Sequence, residues 1–186
     1  MSSAITDTPL RDLVVPNNGF AGNRINQFPA ARPLGYFTPD ADPVAVKQFY
    51  DANGYIVLEN ALNEAEIEAL KLETTQICRG ERGELPDHPK ADPSETDANV
   101  LRRFLCIHFP HKCSETMLRA IHNKPTVAAL ANVVSPNVKC MQSMLFIKSS
   151  GKPGQAWHQD EDYIPTRDRS LTGCWISMDR ATQNNG

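Results

Sequence analysis

The chain has 186 residues, 40% of them apolar and 22% charged, with a net charge of −3. That is enough for one domain with a real core and too little for a second. The mildly acidic balance gives no footprint for nucleic acid or an anionic membrane, and no apolar run approaches the roughly 18 residues that span a bilayer.

The first residues, MSSAITDTPLRDLVVPNNG, lack the charged-then-apolar pattern of a secretory signal. Five scattered cysteines (Cys78, Cys106, Cys113, Cys140 and Cys174) suit reduced thiols better than a disulfide framework. A cytoplasmic location is the expectation.

Residues 1–40, rich in Pro, Asn, Gly and Ala without a sustained period, read as an irregular N-terminal arm. In DPVAVKQFYDANG, Asp42 is a cap, Pro43 suits the first turn, and Gly54 ends the helix. YIVLEN reads as a short buried strand. NEAEIEALKLETTQICRG predicts a second helix, with Asn63 as N-cap, Glu66 completing a capping box and Gly80 as the stop. Ile67, Leu70 and Ile77 share its apolar face.

Residues 81–99 are polar, acidic and proline-bearing, which predicts a loop. His88 within it is expected to be solvated. CIHFPHKC then packs Cys106, His108, His111 and Cys113 into eight residues. Zinc sites usually draw ligand pairs from separated segments, so a short extended piece of mixed burial is the preferred reading. Helices return at SETMLRAIHN, capped by Ser114, and at KPTVAALANVVS, opened by Pro125. His122 is placed as a helix-end residue.

After Pro136 the period turns from helical to alternating. Cys140, Gln142, Met144, Phe146 and Lys148 share one face of a predicted strand, and Met141, Ser143, Leu145 and Ile147 the other. SLTGCWISMDRA alternates too, with Cys174, Ile176 and Met178 opposite Trp175, Ser177 and Asp179. Between these strands lies GKPGQAWHQDEDYIP, a Gly- and Pro-rich loop. In extended backbone, residues i and i+2 point the same way. His158 and Asp160 can therefore offer one imidazole nitrogen and one carboxylate oxygen to a single cation, as in the two-His, one-carboxylate triad of non-haem Fe(II) oxygenases. A hydrogen-bonded His–Asp pair of purely structural role is the competing reading.

MLFIKSSGKPGQAWHQDEDYIP followed by SLTGCWISMDRATQNNG resembles the phytanoyl-CoA dioxygenase family of Fe(II)/2-oxoglutarate oxygenases. FYDANGYIVLENALNEAEIEALKLE is similar to the opening helix–strand–helix of those enzymes. The resemblance covers about residues 43–186 and is weakest through 81–115. It implies a mainly β fold with flanking helices over 41–186, the first part of a double-stranded β-helix (a cupin-like jelly roll), incomplete at the C-terminus.

By the same resemblance His158 and Asp160 match the first two iron ligands, and no catalytic residue is assigned beyond them. Met144 and Trp175 match positions lining the 2-oxoglutarate pocket, and Gln142 shares the Met144 face. Arg102, Arg103 and Lys148 are looser candidates for a basic contact. Trp157 is expected to pack at the barrel mouth, and Tyr163 to reach substrate or cover the loop. The cofactors implied are Fe(II) and 2-oxoglutarate as co-substrate. The partners are O₂ and a small molecule or acyl thioester, hydroxylated at an unactivated carbon, with no nucleic acid or membrane. Halogenases of this class replace the acid with a small residue, so Asp160 favours hydroxylation.

In the family a distal histidine, and an arginine for the far carboxylate of 2-oxoglutarate, follow this motif. Here His88, His108, His111 and His122 all precede it. Asn185–Gly186 also reads as a hairpin turn with no returning strand. The expectation is a chain truncated relative to a working enzyme, binding iron poorly and hydroxylating nothing. The alternatives are a non-catalytic jelly-roll binding protein, or a cupin-like protein using zinc or manganese.

Overall fold

The computed structural model describes residues 35–85 and 88–181. The 1–34 part of the expected arm and the Asn185–Gly186 turn lie outside them. Residues 35–40, expected to be irregular, contain β1 (Tyr36–Phe37), which pairs in parallel with β2 (Val57–Leu58). Between these strands runs α1 (Pro43–Asn53). The Asp42 side chain accepts from Val44 N–H, Pro43 opens the helix, and Gly54 closes it at φ 78°. YIVLEN thus yields a two-residue strand, and Val57 stays partly exposed because so short a ladder covers little of it.

The second helix, α2 (Glu64–Cys78), begins with the full capping box of Asn63 and Glu66. It buries Leu70 and Ile77, Ile77 at 1% exposure. The segment beyond it is tied down by Arg79, whose guanidinium donates to Glu95 O, Asp92 O and Asp97 Oδ1. His88 is not simply solvated: its ring lies 4.2 Å from that of Phe104. A further short helix follows, α3 (Asp97–Arg102), capped by Thr96 and burying Val100 completely.

Strand β3 (Cys106–His108) pairs antiparallel with β4 (Met144–Phe146), in the register Cys106–Phe146, Ile107–Leu145, His108–Met144. Phe109, at φ 55°, turns the chain into a 3₁₀ turn over Pro110–Lys112. The ladder stops there, because Pro110 has no N–H to continue it. Helices α4 (Glu115–Ile121, capped by Ser114) and α5 (Lys124–Val133, capped by Asn123) follow. His122 is the C-cap of α4, at the helix end where it was placed. α5 packs on α1, and Asn132 donates to Pro43 O.

One core unites α2, α3, α4 and the β3–β4 pair. Ile77, Val100, Phe104, Met117, Ile107 and Leu145 belong to a single buried cluster. Of the alternation read along 140–148, the part over 144–148 is realised, whereas Met141, expected on the Leu145 face, is 53% exposed. Leu145 and Ile147 face this cluster, while Met144 and Phe146 face outward. The strand itself is shorter than expected, and residues 171–181 form no ladder although Ile176 and Met178 pack on the core. Among the described residues these two two-stranded sheets are the only ones, and they do not make a jelly roll. The described residues are more helical than the expected mainly β balance. A strand exists only with a partner, and β4 finds just three residues of β3. No helix among them is long and apolar enough to cross a membrane.

Candidate metal centre

After β4 the chain leaves the core, and residues 153–160 are exposed throughout. Gln159 is extended (φ −107°, ψ 126°), so the residues on either side of it can point the same way. His158 Nε2 stands 3.1 Å from Asp160 Oδ1. The other ring nitrogen, Nδ1, lies 2.7 Å from Ala156 O. A carbonyl can only accept, so Nδ1 carries a proton. Nε2 faces a second acceptor, the Asp160 carboxylate, so it holds a proton when no ion is bound and gives its lone pair to a cation that replaces that proton. The Ala156 carbonyl first, and then the Asp160 carboxylate, raise the His158 pKa above its ordinary value.

Two donors held at about 2.1 Å on adjacent corners of an octahedral ion stand about 3.0 Å apart. The observed 3.1 Å separation and the one-nitrogen, one-carboxylate set therefore fit two cis positions on a divalent ion. No group of three potential ligands occurs among the described residues.

The backbone here is held by short-range hydrogen bonds. Asp160–Asp162 form a 3₁₀ turn in which Asp160 O accepts from Tyr163 N–H (3.0 Å) and Ile164 N–H (2.9 Å). The Tyr163 ring, itself 76% exposed, meets the His158 ring edge-on with centroids 5.8 Å apart. Glu161 does more. Its Oε1 accepts from Thr166 N–H (2.6 Å) and Thr166 Oγ1 (2.7 Å), and its Oε2 from Leu171 N–H (3.1 Å). The Thr166 hydroxyl and amide hold its carboxyl below the usual range. Sequence reading passed over Glu161. The one signal was an acid followed at five residues by a threonine, which has no periodic signature.

The remaining candidates are spread out. Met144 lies on the outer face of β4, Gln142 is half-buried just before it, and Trp175 is 78% exposed. Trp157, expected to pack, is instead 87% exposed, because no described element lies over it. The Arg103 guanidinium is paired with Glu95, and Arg102 sits exposed at the end of α3. Lys148 Nζ lies 3.6 Å from where a Cβ on Gly154 would sit, at the start of the motif loop. In the Cys106–Cys113 segment, His111 Nδ1 is bound to Ser143 Oγ at 2.6 Å and Cys113 Sγ donates to Pro110 O. β3 carries the mixed burial expected of it.

Comparison with known proteins bears on this arrangement. The chain is 27% identical over 154 residues to the peroxisomal phytanoyl-CoA dioxygenase of Bos taurus, covering 75% of this chain and 44% of that protein. It is 27% identical over 170 residues to the corresponding protein of Homo sapiens, covering 81% and 47%. It thus spans about half the length of the curated relatives it matches. No solved structure matches. The family profile described as phytanoyl-CoA dioxygenase (PhyH) covers residues 50–186, which include α2, both strands of the β3–β4 ladder and the His158–Asp160 pair. The chain belongs to the phytanoyl-CoA dioxygenase family.

Proposed function

We propose that His158 and Asp160 supply two protein ligands of an Fe(II) centre in a 2-oxoglutarate-dependent oxygenase. The reaction is hydroxylation of a carbon in a small molecule or acyl thioester. The observation that carries this reading is the meeting of His158 Nε2 and Asp160 Oδ1 at 3.1 Å on one side of an open loop. Family membership and the names of the mammalian relatives support it. When bound, Fe(II) with 2-oxoglutarate supplies the redox chemistry that activates O₂.

The chain's own residues do the positioning. His158 is held in the Nδ1–H tautomer by Ala156 O and aims Nε2 at the ion. Asp160 supplies the anionic oxygen from a turn that its own carbonyl locks. Tyr163 meets the imidazole edge-on. By family membership Met144 and Trp175 are assigned as apolar contacts of the co-substrate, and the Gln142 amide as a hydrogen-bonding group for it. The outward face of β4 is then the inner face of a double-stranded β-helix, whose facing sheet is not among the described residues. Retention of Asp160 leaves the ligand position that a halide would need occupied, which favours hydroxylation.

Two protein ligands hold a metal weakly, so the test is thermal unfolding of the chain with Mn(II), a redox-inert stand-in, in large excess, and 2-oxoglutarate. 2-Oxoglutarate is expected to raise Tm only when metal is present, and not in His158→Ala. An equal rise without metal, or in the His158→Ala variant, overturns the reading.

A further inference from the structure

We infer that Glu161 is a positioning residue for the metal pair, closing the loop that carries Asp160 and setting the direction of its carboxylate. This rests on the reading of His158 and Asp160 as ligands. Glu161 follows Asp160 directly, and its two oxygens gather three donors from further along the chain. Thr166 N–H and Thr166 Oγ1 meet Oε1, and Leu171 N–H meets Oε2. The eleven residues from Glu161 to Leu171 are thereby pinned into a closed loop by one carboxylate.

Closure has a consequence at the site. Just past Leu171, Gly173 comes back beside the pair: a Cβ there would lie 3.8 Å from Asp160 Oδ2. The returning backbone thus walls the side of Asp160 away from His158, which meets the other oxygen, Oδ1. The loop has other ties, Ser170 Oγ to Asp168 Oδ1 and Thr172 Oγ1 to Tyr50 OH, but Glu161 is what joins it to the turn carrying Asp160. Residues 165–170 belong to no helix or strand, and most are exposed. Thr166 itself passes the order on, its Oγ1 accepting from Ser170 N–H at 3.0 Å. Without the Glu161 carboxylate, both Thr166 donors and the Leu171 amide would turn to water, and the link between the Asp160 turn and the returning backbone at Gly173 would loosen. A ligand without its outer support typically loses about 10- to 100-fold in metal affinity.

The test measures Mn(II) binding to the 186-residue chain by water-proton relaxation, with amide hydrogen exchange read on the same samples. Four variants are compared with wild type: Glu161→Ala, Glu161→Gln, Asp162→Asn and His158→Ala. Glu161→Ala should weaken Mn(II) binding by about tenfold and speed exchange at Thr166 and Leu171, leaving α2 and α5 protected as before. Glu161→Gln has the same charge as the alanine variant but keeps one accepting oxygen for Thr166, so it should fall between. Asp162→Asn removes a neighbouring charge without touching the loop closure and should bind as wild type does.

Unchanged Mn(II) affinity in Glu161→Ala overturns the inference while leaving the metal reading intact. So does equal weakening in Asp162→Asn, which would be a plain charge effect, or lost protection in α2, which would be global unfolding. Wild type binding no better than His158→Ala defeats the metal reading itself, and the role of Glu161 with it.

Discussion

Ile77 and Val100 are sealed among the helices, whereas Trp157 and Trp175 stand almost bare in the part of the chain that carries His158 and Asp160. The first region is held by apolar burial. α2, α3 and α4 close over Ile107 and Leu145, and each helix starts on a capping side chain. The second is held by hydrogen bonds: the Asp160 carbonyl, the Ala156 carbonyl and the Glu161 carboxylate. The contrast separates stability from site geometry. Substitutions that unfold the helices need not touch the pair, and those that disturb the pair should barely shift the unfolding midpoint.

The largest effect is expected in the core. Ile77→Ala should cost roughly 2–5 kcal/mol in urea unfolding, because a fully buried side chain leaves a cavity as well as losing its transfer energy. A smaller loss would mean that α2 repacks, and that the helical region is looser than its burial implies.

Next comes the ion pair that joins α2 to the chain beyond it. Glu73, 6% exposed, takes a bidentate bond from Arg82 at 2.8 and 2.9 Å, and Arg82 first among its neighbours holds its carboxyl below the ordinary 4.5. A lowered folded pKa means that the unfolded chain binds the proton more tightly. The pair's contribution is therefore full above pH 4.5 and lost as pH falls from there through the lowered folded value. Arg82→Ala should destabilise the protein at neutral pH and flatten the acid side of its stability profile. An unchanged acid slope would remove Glu73 as the group responsible.

A smaller, purely conformational effect is expected at Gly54, whose φ of 78° is left-handed and where a Cβ would meet nothing within 4 Å. Gly54→Ala should cost about 1 kcal/mol. The smallest belongs to the bare segment: Trp175→Ser should change the unfolding free energy by less than about 0.5 kcal/mol. A large change there would show that the Trp175 ring supports the core as its neighbours Ile176 and Met178 do, and would erase the contrast between the regions.

How far the sequence disclosed all this follows the same division. Asp42, Asn63 and Ser114 were legible as caps because capping is decided within four residues. The alternation that buries Leu145 and exposes Met144 was legible because its period is local. Helix α3 escaped notice because it is six residues long in a polar stretch and offers only the Thr96 cap and Val100. The β character expected of 140–148 and 170–181 depended on partners that sequence does not locate, and β4 pairs with only three residues of β3. At the site, the shared side of His158 and Asp160 was readable from their spacing. The closure by Glu161 was not, since its partners lie five and ten residues away in irregular backbone. The exposed Trp157 shows the same limit: its environment is set by what covers it.

The central claim is that one cation is gripped by both groups at once, and a double-mutant cycle on Mn(II) affinity tests it most directly. If His158 and Asp160 share an ion, His158→Ala and Asp160→Ala should each remove most of the binding, and the double variant should lose little more than either alone. Losses that simply add, or binding that persists with both side chains gone, would contradict the account.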